Sequence, residues 1–149
     1  MKILFVCSGN TCRSPLAEAI TRRLLDTAGR SDVEVSSAGT SAWDGSPASD
    51  GALLVGMERG LDLSQHRSRL LTPEIVSEAD LILVMSPSHL SRVKELDPDA
   101  KAHLLAGFAS GREGRSVQDP FGGDLAAYRD TVDDLEAELA GLLDRIEAT

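Results

Sequence analysis

Cys7 and Arg13 stand six residues apart in the segment Cys7-Ser8-Gly9-Asn10-Thr11-Cys12-Arg13-Ser14-Pro15. An ionised thiol is a strong nucleophile, and a guanidinium is a planar, two-pronged clamp for an oxyanion. The spacing alone is weak evidence, but the residues between sharpen it. Gly9 and Asn10 are types that tolerate positive φ, so the loop can turn the successive backbone N–H groups of Ser8, Gly9, Asn10, Thr11, Cys12 and Arg13 inward as an anion nest. The N-terminus of a following helix adds positive potential. The same field predicts a lowered pKa for Cys7 and a thiolate able to attack phosphorus in line, giving a cysteinyl-phosphate. Ser14 has two expected roles, capping the helix and donating to the Cys7 sulfur. The competing reading of Cys7 is an inert thiol buried at a strand end; for Cys12 it is a packing residue against a redox partner for Cys7.

Phosphoryl transfer through a thiol needs a proton for the leaving group and then a base for water, and one carboxylate can serve in turn. Gln118-Asp119-Pro120-Phe121-Gly122-Gly123 offers the best candidate, Asp119. Pro120 keeps Asp119 out of helical geometry, and the glycine pair keeps the segment a loop. Asp97-Pro98 is a rival but reads as an ordinary helix-ending turn. No G-x-x-x-x-G-K-[ST] or G-x-G-x-x-G motif follows a strand, and the spacing of Cys7 and Cys12 with His66, His89 or His103 does not suit zinc. No metal and no organic cofactor is expected, because Arg13 supplies the cation.

These groups need a scaffold. Lys2–Val6 is a short apolar run typical of a buried parallel strand. Ser14-Pro15 opens a helix whose stripe is Leu16, Ile20, Leu24 and Ala28, with Gly29 as its stop. Val33–Ser37 alternates as a strand, residues 39–47 form a loop carrying Trp43, and a helix is predicted over about 48–59. Leu81–Met85 is the clearest buried strand, Ser86-Pro87 starts a helix to about Leu96, and His103–Leu105 is a weaker strand. One last helix runs from near Leu125 with the stripe Tyr128, Val132, Leu135, Leu139, Leu142 and Ile146. Four strands alternating with helices predict an α/β, single-domain, three-layer sandwich over residues 1–149: a four-stranded parallel sheet, helices on both faces, and a phosphate-binding loop after the first strand. Ligands in such sheets sit at the carboxyl ends of the strands, where Cys7 falls.

The 149 residues carry a formal net charge of −9, with 42% apolar and 26% charged residues. That acidity argues against nucleic acid or an anionic membrane as partner. No apolar stretch approaches the roughly 20 residues that span a bilayer, and Met1–Val6 is too short for a signal peptide. Two cysteines do not make a disulfide framework. The expectation is a cytoplasmic monomer, the stripe of the last helix being what packing on the sheet requires.

The segments Val6–Pro15, Ser37-Ala38-Gly39 and Asp119-Pro120-Phe121 together resemble the low-molecular-weight protein tyrosine phosphatase family over essentially the whole chain. The resemblance implies Cys7 as nucleophile, Arg13 as phosphoryl clamp and Asp119 as general acid and then base. It implies a supporting network of Asn10, Ser14, Ser37 and His66, although a lone histidine is as often a surface or core residue. It places Trp43, otherwise a part-buried core aromatic, at the mouth of the site. Thr11 replaces the Ile or Leu of the tyrosine phosphatases, and Phe121 replaces their Tyr. Both are similar to the bacterial protein-arginine phosphatase branch, whereas Trp43 looks more like the phosphotyrosine type. Thr11, Trp43 and Phe121 are therefore the candidate specificity residues.

The expected function is hydrolysis of phosphoarginine in phosphorylated proteins, with phosphotyrosine as the alternative and phosphate or another oxyanion as the minimal ligand. An arsenate reductase on the same fold is a remote alternative, since it needs more cysteines than Cys7 and Cys12. A non-catalytic phosphate-binding module is disfavoured by the presence of Cys7, Arg13 and Asp119 together. A reversible Cys7–Cys12 disulfide would protect an oxidised nucleophile.

Overall fold

The structure, a computed structural model, describes residues 1–111 and 116–147. The elements run β1 (Lys2–Cys7), α1 (Arg13–Thr27), β2 (Glu34–Gly39), α2 (Asp50–Glu58), α3 (Pro73–Glu78), β3 (Leu81–Val84), α4 (Pro87–Leu96), β4 (Ala102–Leu104), α5 (Leu105–Ser110), α6 (Leu125–Leu139) and α7 (Leu142–Glu147). The four strands form one parallel sheet in the order β2-β1-β3-β4.

The side-chain alternation of β1 divides the core. Ile3, Phe5 and Cys7 face α1, α2, α6 and α7 through Leu16, Ile20, Val55, Leu135, Leu139 and Leu142. Leu4 and Val6 face the other way onto Val76 of α3 and Val93 of α4. A sheet apolar on both faces must be covered on both, which gives the three layers. The chain leaves β1 for β2 on one side and takes β3 on the other. The carboxyl end of β1 is thus the switch point of the sheet, and Cys7 occupies it.

Several boundaries differ from those read in sequence. α1 starts at Arg13, and the cap position is Cys12 without a side-chain cap bond, so Ser14 lies inside the first turn. The buried face of α1 is Leu16, Ala17, Ile20, Thr21 and Leu25; Leu24 is half-buried and Ala28 exposed. Steps of four overrun a turn by about 40° each, so a strict i, i+4 series walks off the core face. α2 begins at Asp50 behind Ser49, whose hydroxyl accepts from Ala52 N, two residues later than predicted. Two short helices are additions. α3 is capped by Thr72 and opened by Pro73, while α5 takes Leu105, which the sequence assigned to the fourth strand. The single terminal helix is two, broken at Ala140-Gly141. A Cβ on Gly141 would lie 3.1 Å from the Ala109 carbonyl oxygen, so the break lets α5 pack against the backbone there.

Candidate active site

The loop from Cys7 to Arg13 is held from outside. Thr40 N–H donates to Cys7 O and Ser41 N–H to Ser8 O, both at 2.9 Å, and Ser49 N–H donates to Thr11 O at the same distance. Gly39, paired with Cys7 in the sheet, allows the approach: a Cβ there would sit 2.4 Å from Ser8 O and 2.9 Å from Asn10 N. The left-handed turn falls on Asn10, at φ 56°, and not on Gly9.

Asn10 is fully buried, with its side chain turned behind the loop. Its Oδ1 accepts from Arg69 N–H at 3.0 Å, which fixes the amide orientation. Nδ2 therefore faces and donates to Ser14 Oγ at 2.8 Å and Ser37 Oγ at 2.9 Å. Ser37 passes its proton to Glu18 Oε1 at 2.7 Å, and Glu18 also accepts from Arg22. With Asn10 filling its acceptor, Ser14 directs its O–H at Cys7 Sγ, 2.9 Å away. Ser14 is thus a donor to the sulfur, and the capping role expected of it is not realised. His66, half-buried, places Nε2 2.6 Å from Asn10 O, bracing the loop from its outer side.

Burial pushes the Cys7 thiol above its ordinary value; the Ser14 hydroxyl and N–H, the Arg13 charge and the Asn10 N–H pull it down without prevailing. The lowered thiol pKa expected from the loop field is not met, because Cys7 is also buried, 2% exposed, at its strand-end position. Desolvation acts on the charged form whatever hydrogen bonds surround it.

Arg13 is 5% exposed. Nη1 donates to Val117 O at 3.1 Å, Nη2 to Ser8 Oγ at 3.4 Å, and Nη2 stands 3.5 Å from Asp119 Oδ2. Val117 N–H donates in turn to Met85 O at the end of β3. That bond ties the segment carrying Asp119 to the carboxyl edge of the sheet. Asp119 Oδ1 accepts from Phe121 N–H at 3.0 Å, the turn that Pro120 predicts, and the side chain is half exposed.

These groups border a cavity of about 390 Å³. Its floor is Cys7, Ser8, Gly9, Thr11, Cys12 and Arg13; one wall is Ser41, Ala42, Trp43 and Ser46, and the other is Asp119 and Phe121. Trp43 is 84% exposed and Phe121 72%. The Trp43 backbone is fixed nonetheless: its carbonyl accepts from Ser68 Oγ, and Asp44 Oδ1 accepts from Leu70 N–H. A roomier groove of about 520 Å³ lies against the amino-terminal ends of β1 and β2, but it holds no thiol and none of the groups above.

The sequence pattern does not single out three residues of the network around the loop. His89, 2% exposed, sets Nε2 2.9 Å from Ser8 Oγ and Nδ1 3.0 Å from Ser86 Oγ. Tyr128 Oη lies 3.5 Å from Cys12 Sγ and 3.1 Å from Ser49 Oγ, and Ser49 Oγ lies 3.2 Å from the same sulfur. Glu18 is detectable only as the residue one turn beyond Ser14 on α1. Cys7 and Cys12 are both free thiols. Among the described residues no group of three or more His, Cys, Asp or Glu side chains is placed to hold a metal ion, and no helix is long and apolar enough to cross a membrane.

A buried thiol at a strand end with an arginine and an aspartate beside it, on a doubly covered parallel sheet, is the arrangement expected of a phosphatase. The profile of the low molecular weight phosphotyrosine protein phosphatases matches residues 2–149, and the chain belongs to that family of hydrolases. It is 40% identical over 148 residues to a protein-arginine-phosphatase of Geobacillus stearothermophilus, covering 98% of this chain and 96% of that one. It is 37% identical over 147 residues to the probable low molecular weight protein-tyrosine-phosphatase EpsP of Ralstonia nicotianae, covering 98% and 96%. A Cys-to-Ser mutant of the YwlE arginine phosphatase, solved with a phosphorylated active-site serine, superposes with a TM-score of 0.92 at 36% identity over 99% of this chain and 96% of that chain. The chain is a phosphoprotein phosphatase by family.

Proposed function

We propose that this phosphatase hydrolyses phosphoarginine in proteins through a cysteinyl-phosphate. Cys7 Sγ attacks phosphorus opposite the leaving guanidino nitrogen, and the P–N bond breaks as the S–P bond forms. Ser14 Oγ–H stabilises the sulfur charge before attack, while Arg13 and the inward N–H groups of the loop hold the phosphoryl oxygens. Asp119 gives its proton to the departing nitrogen and then takes one from water, which attacks phosphorus and releases phosphate and the thiolate. A thiol held above its usual pKa fits this scheme, because a protonated thiol with a dianionic phosphoryl group carries the same proton count as a thiolate with a monoanion.

Thr11 carries the choice of substrate. Its side chain lines the cavity floor next to the nucleophile, and among the described residues its hydroxyl engages only Cys12 Sγ, at a long 3.8 Å. That hydroxyl is free to hold a guanidinium or a water beside the phosphoryl group; a branched alkyl chain at the same place can do neither. The first two relatives named above divide between the two substrate classes. A second reading, phosphotyrosine, draws on the exposed faces of Trp43 and Phe121, which suit a flat ring.

The test is the ratio of kcat/KM for phosphoarginine and phosphotyrosine peptides. The wild type is expected to favour phosphoarginine, and Thr11→Ile to shift the ratio toward phosphotyrosine. A preference for phosphotyrosine in the wild type, or no shift in the variant, would overturn the assignment to Thr11.

A further inference from the structure

Ser8 is a floor residue of the cavity whose side chain meets two partners outside the thiol network. Arg13 Nη2 lies 3.4 Å from Ser8 Oγ, and His89 Nε2 lies 2.9 Å from it. We propose that His89 is a positioning residue for phosphoryl transfer: its Nε2–H donates to Ser8 Oγ and turns the Ser8 hydroxyl proton into the phosphoryl site.

A guanidinium can only donate, so Arg13 occupies one lone pair of Ser8 Oγ. The remaining choice lies between two self-consistent chains. In one, Ser88 Oγ, 3.0 Å from Ser86 Oγ, donates to it; Ser86 donates to Nδ1, and Nε2–H donates to Ser8. Both Ser8 lone pairs are then filled and its proton faces the cavity. In the reverse chain Ser8 gives its proton to Nε2 and presents a lone pair to the site. A phosphoryl dianion bound against Cys7 and Arg13 selects the first chain, because a hydroxyl proton is attracted to it and a lone pair is repelled.

The imidazole suits this task because it is neutral. Burial and the neighbouring Arg13 charge hold its pKa down to about 4, so it presents one donor and one acceptor at working pH. Its place is fixed at both ends. The His89 N–H bonds to Ser86 O at 3.1 Å in the first turn of α4, and that turn stands at the carboxyl end of β3, next to the loop that follows β1. Strand adjacency, and no local sequence motif, brings His89 to Ser8.

This inference rests on the phosphatase reading of the cavity but not on the preference for phosphoarginine. The experiment therefore uses p-nitrophenyl phosphate turnover and inhibition by orthovanadate, which are independent of the natural leaving group. If phosphoarginine peptides fail as substrates while p-nitrophenyl phosphate is turned over, the substrate assignment falls and this test still runs. Ser8→Ala and His89→Leu are each expected to weaken orthovanadate by about ten-fold, as for loss of one hydrogen bond to a charged group. His89→Gln, whose amide supplies a donor near Nε2, should recover most of that loss. Ser8→Ala/His89→Leu should be no weaker than Ser8→Ala alone.

Equal losses in the Gln and Leu variants, or additive losses in the double variant, would leave His89 a structural residue and overturn the proposal. If His89→Leu fails to fold, the 15N shifts of the wild-type imidazole with orthovanadate bound decide the matter: Nε2–H supports the proposal and Nδ1–H overturns it.

Discussion

Ser14 Oγ stands 2.9 Å from Cys7 Sγ and 2.8 Å from Asn10 Nδ2, so one hydroxyl links the Cys7 thiol to the network that shapes its loop. The direction of that link follows from a donor that cannot reverse: Arg69 N–H on Asn10 Oδ1. Asn10 must give, Ser14 must accept from it, and the Ser14 proton is left for sulfur.

Ser14→Ala should therefore raise the thiol further. Ser14 is the largest of the influences that lower the Cys7 pKa against burial. The midpoint of iodoacetamide alkylation against pH is expected to move up, and kcat/KM near neutrality to fall by about 10- to 100-fold, the range for losing a hydrogen bond to a charged group. An unchanged alkylation midpoint would remove Ser14 from the activation of Cys7.

Asp119→Asn separates the proton from the rest of the chemistry. The carboxylate reaches the cavity from a half-exposed turn, where it meets the edge of Arg13 and accepts from Phe121 N–H; an Asn side-chain oxygen can still accept that bond, so the substitution should leave folding nearly untouched. Phosphopeptide turnover is expected to drop by about 10²- to 10³-fold. p-Nitrophenyl phosphate, whose leaving group needs no proton, should lose far less in the first step. Equal losses for both substrates would argue against Asp119 as the acid.

Gly39→Ala tests the close approach of β2 to the loop. The new methyl would need to occupy space 2.4 Å from a backbone oxygen, which no side-chain rotation relieves. The expected result is a fall in thermal midpoint of several degrees, from about 1–3 kcal/mol of strain, together with weaker orthovanadate binding because Ser8 and Asn10 must shift. A variant with wild-type midpoint and affinity would show that the loop does not depend on this contact.

His89 gives stability a sign with respect to pH. Its folded pKa of about 4 lies below the unfolded value of about 6.5, so the unfolded chain takes up the proton first on acidification. The contribution is fully present above pH 6.5 and is lost as the pH falls through 4. Its size is up to about 3 kcal/mol, with Arg13 and then Asp119 as the charges that face the ring. Urea unfolding from pH 7 to 4 should show that loss in the wild type and not in His89→Gln. Parallel curves would mean that the ring protonates in place.

The loop between β1 and α1, its Cys7 and Arg13, the strand that precedes it and the Asp119-Pro120 turn were legible in the chain because each is a local property. Apolar runs make strands, and proline and glycine set the turns on either side. Boundaries failed where tertiary contacts outweigh propensity: the helix break at Gly141 answers to the Ala109 carbonyl, and α5 takes Leu105 from a strand.

The sequence by itself therefore determined which residues can do chemistry and which element each one ends. Tertiary structure alone decided which polar groups meet. The order β2-β1-β3-β4 sets the end of β3 beside the end of β1, so Met85 O anchors Val117, Val117 O holds Arg13, and His89 reaches Ser8. A hydrogen bond is satisfied by whichever group the packed core brings within about 3 Å, and no spacing along a chain records that distance.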